Sequence, residues 1–138
     1  MIYIQDNFLP KNLYKALLNY VDKFEEIKYP DKSFWTKDLP SEFNNFIVDK
    51  LEKIEGRKIK NILSFAREAK LGQDNDWRIH NDTIIKEDSN NKTKWKLSSV
   101  IGYKDNRLLS YPCEYFHSKY PNEYKNQRIV IVMFYKYI

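Results

Sequence analysis

Between residues 10 and 56 the apolar positions recur at three- and four-residue steps, and from residue 59 onward they gather in short β-rich runs broken by turns. The first rhythm predicts two helices. Pro10 suits a first helical turn, and Leu13, Leu17, Tyr20, Val21 and Phe24 then line one face. Ser41 stands as N-cap of the second helix, whose stripe is Phe43, Phe46, Ile47, Leu51 and Ile54, and Gly56 falls where a left-handed C-terminal cap is wanted. Residues 28–40 carry Pro30, Pro40 and several charges around Phe34 and Trp35, and read as a loop with two aromatic anchors. Ahead of the helices, residues 1–4 read as a short strand ended by an Asp6-Asn7 turn.

The second rhythm predicts strands at 59–69, 77–85, 95–103, 107–111 and 128–137, with turns at 72–75, 87–93 and 105–106. In the first of these, Leu63, Phe65, Arg67 and Ala69 take one face and Ile62 and Ser64 the other. Helices followed by a run of short strands is an α+β order, and strands at this spacing suit a sandwich or barrel. No internal repeat is visible, and with only three glycines there is no phosphate-cradling loop of the GxGxxG or Walker type.

Composition narrows this picture only a little. A chain of 138 residues fits one domain, 1–138, long enough to bury most of a core. Its 42% hydrophobic and 16% aromatic content supports a folded globule against a 31% charged fraction. The net charge of +5 is a weak steering field for anions and more often a solubilising surface. A single cysteine, Cys113, excludes an internal disulfide and a cysteine-rich zinc site. No run is long and apolar enough to span a membrane, and Asp6 and Lys11 interrupt the place of a signal-peptide core, so a cytoplasmic location is expected.

The candidate chemistry lies in the 77–85 run. On a strand, His80 and Asp82 leave the same face. The chain's other histidine, His117, sits in the aromatic, strand-like stretch 111–121, and would complete a 2-His-1-carboxylate facial triad, which leaves one side of a ferrous ion open. With 19 acidic residues in 138, a carboxylate follows a histidine at this spacing about one time in seven by chance, so the pair gains its weight from the second histidine. The bland alternatives are a strand-end His80 with Asp82 capping a turn, and an ordinary packed His117. Asn81 should point away from the metal, while Trp77 and Arg78 fit either the pocket mouth or the surroundings of the ligands. Arg128 opens the last strand in a chain whose cations are mostly lysine, and only its planar fork can hold a carboxylate through two parallel hydrogen bonds. Its alternative is a solvated arginine, or one stacked on Tyr124 or Tyr135.

The order His80-x-Asp82, His117, Arg128 resembles that of the iron(II)- and 2-oxoglutarate-dependent dioxygenases, especially the prolyl-4-hydroxylase-like group and its bacterial and phage members. Residues 1–10 are similar to the entry strand and helix start of that group, and Asn106-Arg107-Leu108-Leu109 leading to Phe116-His117 is similar to its distal strands, so the likeness covers most of the chain. It implies N-terminal helices packed on a double-stranded β-helix (a cupin-like jelly roll), with Fe(II) on His80, Asp82 and His117. It also implies that Arg128 clamps the distal carboxylate of 2-oxoglutarate, and that an unidentified substrate is hydroxylated with O2 as succinate and CO2 are released. Val130 stands where some relatives have an assisting hydroxyl, so Tyr111, Tyr115 or Tyr135 would have to give any second contact to 2-oxoglutarate.

Relatives usually place a pair of core strands between the His-x-Asp strand and the stretch leading to the second histidine, but here a polar run, 86–94, leaves only 95–103. The expectation is a jelly roll lacking a strand pair, with a shallow, wet metal site and unpaired edges that favour a homodimer. The short span also favours a catalytically inactive jelly-roll interaction module as an alternative. A nucleic-acid-binding surface built from the +5 charge with Trp35, Trp95, Tyr103 and Tyr115 is a further one, although strand positions suit core packing better. Peptidyl proline, a nucleobase, a sugar and a small metabolite all remain open as substrates.

Overall fold

The structure is a computed structural model that describes residues 2–30, 33–70, 80–82, 94–118 and 126–138. In chain order the elements are β1 (Tyr3–Gln5), α1 (Lys11–Tyr20), β2 (Glu25–Lys28), β3 (Ser33–Asp38), α2 (Ser41–Glu55), β4 (Ile59–Ala69), β5 (Leu108–Ser110) and β6 (Arg128–Tyr137). This is an α+β chain with two helices and two antiparallel sheets, neither closed among the described residues. The residues divide into two compact units, Met1–Tyr20 with Asp76–Asn122, and Val21–Asn75 with Glu123–Ile138. Among the described residues no helix is long and apolar enough to cross a membrane.

The second unit is a four-stranded sheet in the order β2-β3-β4-β6, with α2 packed against β4. Pro40 is extended (φ −60, ψ 147) and its carbonyl accepts the first helical hydrogen bond, from the Asn44 N–H at 3.2 Å. Gly56 closes α2 at φ +68, a left-handed conformation that a Cβ would strain, and its N–H bonds the Glu52 carbonyl at 2.9 Å. Glu52 then fixes the exit, its carboxylate accepting from the Ile59 N–H at 3.1 Å and from Lys58 at 2.9 Å. The Lys58 ammonium first, and the Ile59 N–H second, lower the pKa of that carboxyl. Phe43, Ile47 and Leu51, at the four-residue spacing of one helix face, are buried.

β4 and β6 pair from Ile59↔Tyr137 to Ala69↔Arg128, with a register shift between Asn61 and Leu63. Leu63, Phe65, Arg67 and Ala69 share one face and Ser64 takes the other, as alternation predicts. The bulge takes only Ile62 out of that pattern: the extra residue brings Ser64, Ala66 and Glu68 onto the face of Ile59, and Ile62 and Leu63 are both exposed. The Ser64 hydroxyl donates to Asn44 Oδ1 of α2 at 2.8 Å, and Ala66 beside it has no exposed surface. Buried Glu68 accepts from the Gln127 amide and lies 3.6 Å from the Lys70 ammonium. On the opposite face Arg67 stacks on Phe34 at 4.1 Å.

The first unit is built differently. β1 and β5 pair over three residues, Tyr3↔Ser110 to Gln5↔Leu108. Two asparagines turn the chain at their ends, Asn7 at φ +51 and Asn106 at φ +56, a conformation that asparagine tolerates better than most side chains. The Asn106 side chain grips the backbone on both sides of Leu9, accepting from its N–H and donating to its carbonyl, each at 2.8 Å. Arg107 holds Asp6 through two bonds, at 2.7 and 3.2 Å, and Lys104 adds a third at 3.2 Å. The Arg107 guanidinium, ahead of Lys104, pulls the Asp6 carboxyl down to a pKa of about 2. α1 follows, its first bond running from the Tyr14 N–H to the Pro10 carbonyl, and buries Leu17.

Several expectations are corrected here. Residues 28–40 are not one loop: Lys28 ends β2 and residues 33–38 form β3, which pairs with both β2 and β4, while the charges of β2 (Glu25, Glu26 and Lys28) lie on a fully exposed edge where they discourage further pairing. Pro40, not Ser41, caps α2, and no side chain bonds the helix start. α1 ends at Tyr20, so Val21 and Phe24 continue its spacing without belonging to it; Val21 is nevertheless buried. Residues 96–104 form no strand, leaving Leu97, Val100 and Tyr103 exposed. Of the expected 77–85 strand only 80–82 are described, and Trp77, Arg78, Tyr124 and the turns at 72–75 and 87–93 lie outside the described residues.

Candidate metal centre

His80 and His117 form an isolated antiparallel bridge, exchanging both backbone bonds: His80 N–H to His117 O at 3.1 Å and His117 N–H to His80 O at 2.8 Å. Residues opposed in this way send their side chains to the same side, and the two imidazole centroids are 4.5 Å apart. Two positions on from His80, Asp82 joins them, its Oδ1 3.7 Å from His117 Nε2.

A tight turn behind His117 supplies the support. The Tyr115 N–H bonds the Pro112 carbonyl at 3.1 Å. The turn then offers its own carbonyls, Cys113 O accepting from the Asp82 N–H at 3.2 Å and Glu114 O from the buried Asn81 amide at 3.4 Å. Asn81 therefore points away from the ligand face, as alternation predicts. These backbone contacts of 113–115 were not read from the sequence; Pro112 was the one signal of a turn there.

His117 Nδ1 lies 3.0 Å from the Tyr115 carbonyl. A carbonyl only accepts, so Nδ1 carries a proton, and in the neutral ring the lone pair lies on Nε2, on the side of Asp82. Tyr111 stands edge-on to the same ring at 5.2 Å. Burial first, and the Asp82 carboxylate second, push its phenol up to about 12, so it remains protonated at neutral pH and can donate a hydrogen bond.

One ligand atom from each of His80, Asp82 and His117 lies within 4.8 Å of the others. Adjacent ligands on a metal with bonds near 2.1 Å stand about 3 Å apart, so the three side chains need to close by about 1 to 2 Å. Two imidazoles and one carboxylate, His80 and His117 half-buried and Asp82 exposed, fit a divalent transition metal in donor type and number. The other two proposed residues belong to the second unit. Arg128 begins β6, half-buried and opposite Ala69, and the Tyr135 hydroxyl donates to Glu55 Oε1 at 3.0 Å.

No family model matches this chain, and no curated protein or solved structure does either.

Proposed function

We propose that the chain is an iron(II)- and 2-oxoglutarate-dependent oxygenase, on a jelly roll lacking a strand pair, that hydroxylates a substrate still to be identified. One observation carries the reading: two imidazoles and a carboxylate, from segments far apart in sequence, converge within 4.8 Å. The antiparallel bridge between the two ligand segments supports the β-rich architecture. Bound iron with 2-oxoglutarate and O2 supplies the oxidation, a step that side chains cannot perform, and releases succinate and CO2.

The chain's own residues bind and orient. His80, Asp82 and His117 would hold the ion, and the Tyr115 carbonyl sets the tautomer and the plane of His117. Protonated Tyr111 offers a donor next to His117, which favours it over Tyr135, whose hydroxyl serves Glu55, as the second contact for an anionic ligand. The distal carboxylate is assigned to Arg128 by resemblance and by its forked geometry.

Adding 2-oxoglutarate to the ferrous protein without oxygen is expected to give a weak visible charge-transfer band, and admitting oxygen to release succinate. Arg128→Lys should keep the iron and lose about 1.5 to 3 kcal/mol of 2-oxoglutarate affinity. Equal affinity in variant and parent would remove Arg128 from the site. A second reading, a non-catalytic interaction module, is favoured by the missing strand at 96–104; metal binding without either the band or succinate would select it.

A further inference from the structure

At one end of the second unit's sheet the β4–β6 ladder sets Lys60 directly opposite Lys136, and both side chains are exposed. Residues opposed in this way have Cβ atoms about 5 Å apart, and like charges there destabilise the pair. The carboxylates nearest in sequence are engaged elsewhere, Glu52 with Lys58 at 2.9 Å and Glu55 with the hydroxyls of Tyr135 and Tyr137 at 3.0 and 2.8 Å. Among the described residues no carboxylate bridges the two lysines. Arg57, stacked on Tyr137 at 3.6 Å, adds a further cation at the same end of the sheet.

The bulge sets apolar surface beside this charge. Ile62 and Leu63 together oppose Phe134, and Leu63 and Phe134 share the face of Lys60 and Lys136. That face is turned away from α2, which packs on the side of Ile59 and Ser64. Ile62 is 60% exposed and Leu63 52%, so two neighbouring aliphatic side chains meet water next to a pair of cations that repel each other.

We propose that this end of the sheet docks on an anionic lipid bilayer, with Lys60 and Lys136 on headgroup phosphates and Ile62 and Leu63 in the interfacial layer. Charge complementarity selects the occupant. Two opposed cations gain from a surface dense in negative charge, which relieves a repulsion that the fold itself leaves standing. A nucleic acid would answer the lysines alike but leave Ile62 and Leu63 in water, whereas a bilayer takes up both. The footprint is small, so attachment is reversible and sensitive to salt. The inference is drawn from the second unit alone and is independent of the metal chemistry.

The test is co-flotation of the full chain with phosphatidylcholine vesicles, with and without about 30 mol% phosphatidylserine. Flotation is expected with the anionic vesicles only, and should weaken several-fold as salt rises from about 0.1 to 0.5 M. Lys60→Glu with Lys136→Glu should lower vesicle affinity about tenfold or more, while Lys11→Glu with Lys15→Glu, the same change of net charge at exposed positions of α1, should alter it by less than about twofold. Ile62→Ser with Leu63→Ser, folded by circular dichroism, should weaken binding several-fold. Lys136→Glu alone puts opposite charges across the ladder, so its denaturation midpoint should rise as its vesicle binding falls. A chain that does not float with anionic vesicles overturns the proposal, and so does an equal loss in the two charge-reversed pairs, which would reduce the effect to net charge. A lowered midpoint in Lys136→Glu would remove the repulsion from which the inference starts. An oligonucleotide bound as tightly as the vesicles, with the change at Ile62 and Leu63 without effect, would assign the lysines to nucleic acid and overturn it as well.

Discussion

β4 and β6 exchange hydrogen bonds along nearly their whole length, whereas the segments carrying His80 and His117 share a single bridge among the described residues. In the second unit, position is set by a repeating backbone ladder and a helix laid on it, so each residue's place follows from its neighbours. Among the described residues of the first unit, position is set largely by side chains bound to distant groups, with Asn106 around Leu9, Asn81 on Glu114 and Arg107 on Asp6. A ladder spreads the loss of one contact, while a clasp concentrates it. The candidate centre is built in the region of clasps, where ligand side chains have room to close on an ion.

The largest effect should come from the core of the second unit. Leu51, only 2% exposed on α2, should cost about 2 to 5 kcal/mol when cut to Ala, read as a lowered midpoint of chemical denaturation. Hydrogen exchange in the native state should then rise through β4 and β6. Asn106→Ala should cost less, about 1 to 3 kcal/mol, from the lost bonds to Leu9 and because alanine tolerates positive φ less well than asparagine. Its exchange signature should be confined to β1 and β5, and Asn106→Gly, free of the backbone strain, should recover part of the loss. Exchange that rises equally in both units for either variant would erase the contrast between ladder and clasp.

The same contrast explains what could be read from the sequence. Regular elements were legible: 59–69 and 128–137 emerge as β4 and β6 with their expected bounds, and Gly56 caps α2 where its position suggested. Failures occurred where a local device overrides the period. The bulge after Asn61 took Ile62 out of the alternation of β4, and β3, with prolines and charges around it, read as a loop. Residues 96–104 carry the alternation of a strand without forming one, which periodicity cannot reveal. For the site, His80, Asp82 and His117 were legible as residue types in order, and the structure brings those three together. The turn carbonyls that orient them were not, because any residue can offer a carbonyl.

A smaller effect separates the clasps by pH. Arg107 and Lys104 lower the Asp6 carboxyl to about 2 from its ordinary 3.8, so their contribution to stability is complete above the ordinary value and is lost as pH falls through about 2. Asp6→Asn should therefore be less stable than the parent at neutral pH, with the two curves converging towards pH 2. A gap that persists at the acid end would assign the loss to packing and not to charge.

Metal titration without oxygen, followed by calorimetry, addresses the central claim most directly. The account predicts one Fe(II) per chain, with affinity lost in His80→Ala and Asp82→Ala while both variants keep the parent's circular dichroism. Unchanged affinity in both variants, or no binding by the parent, would contradict it.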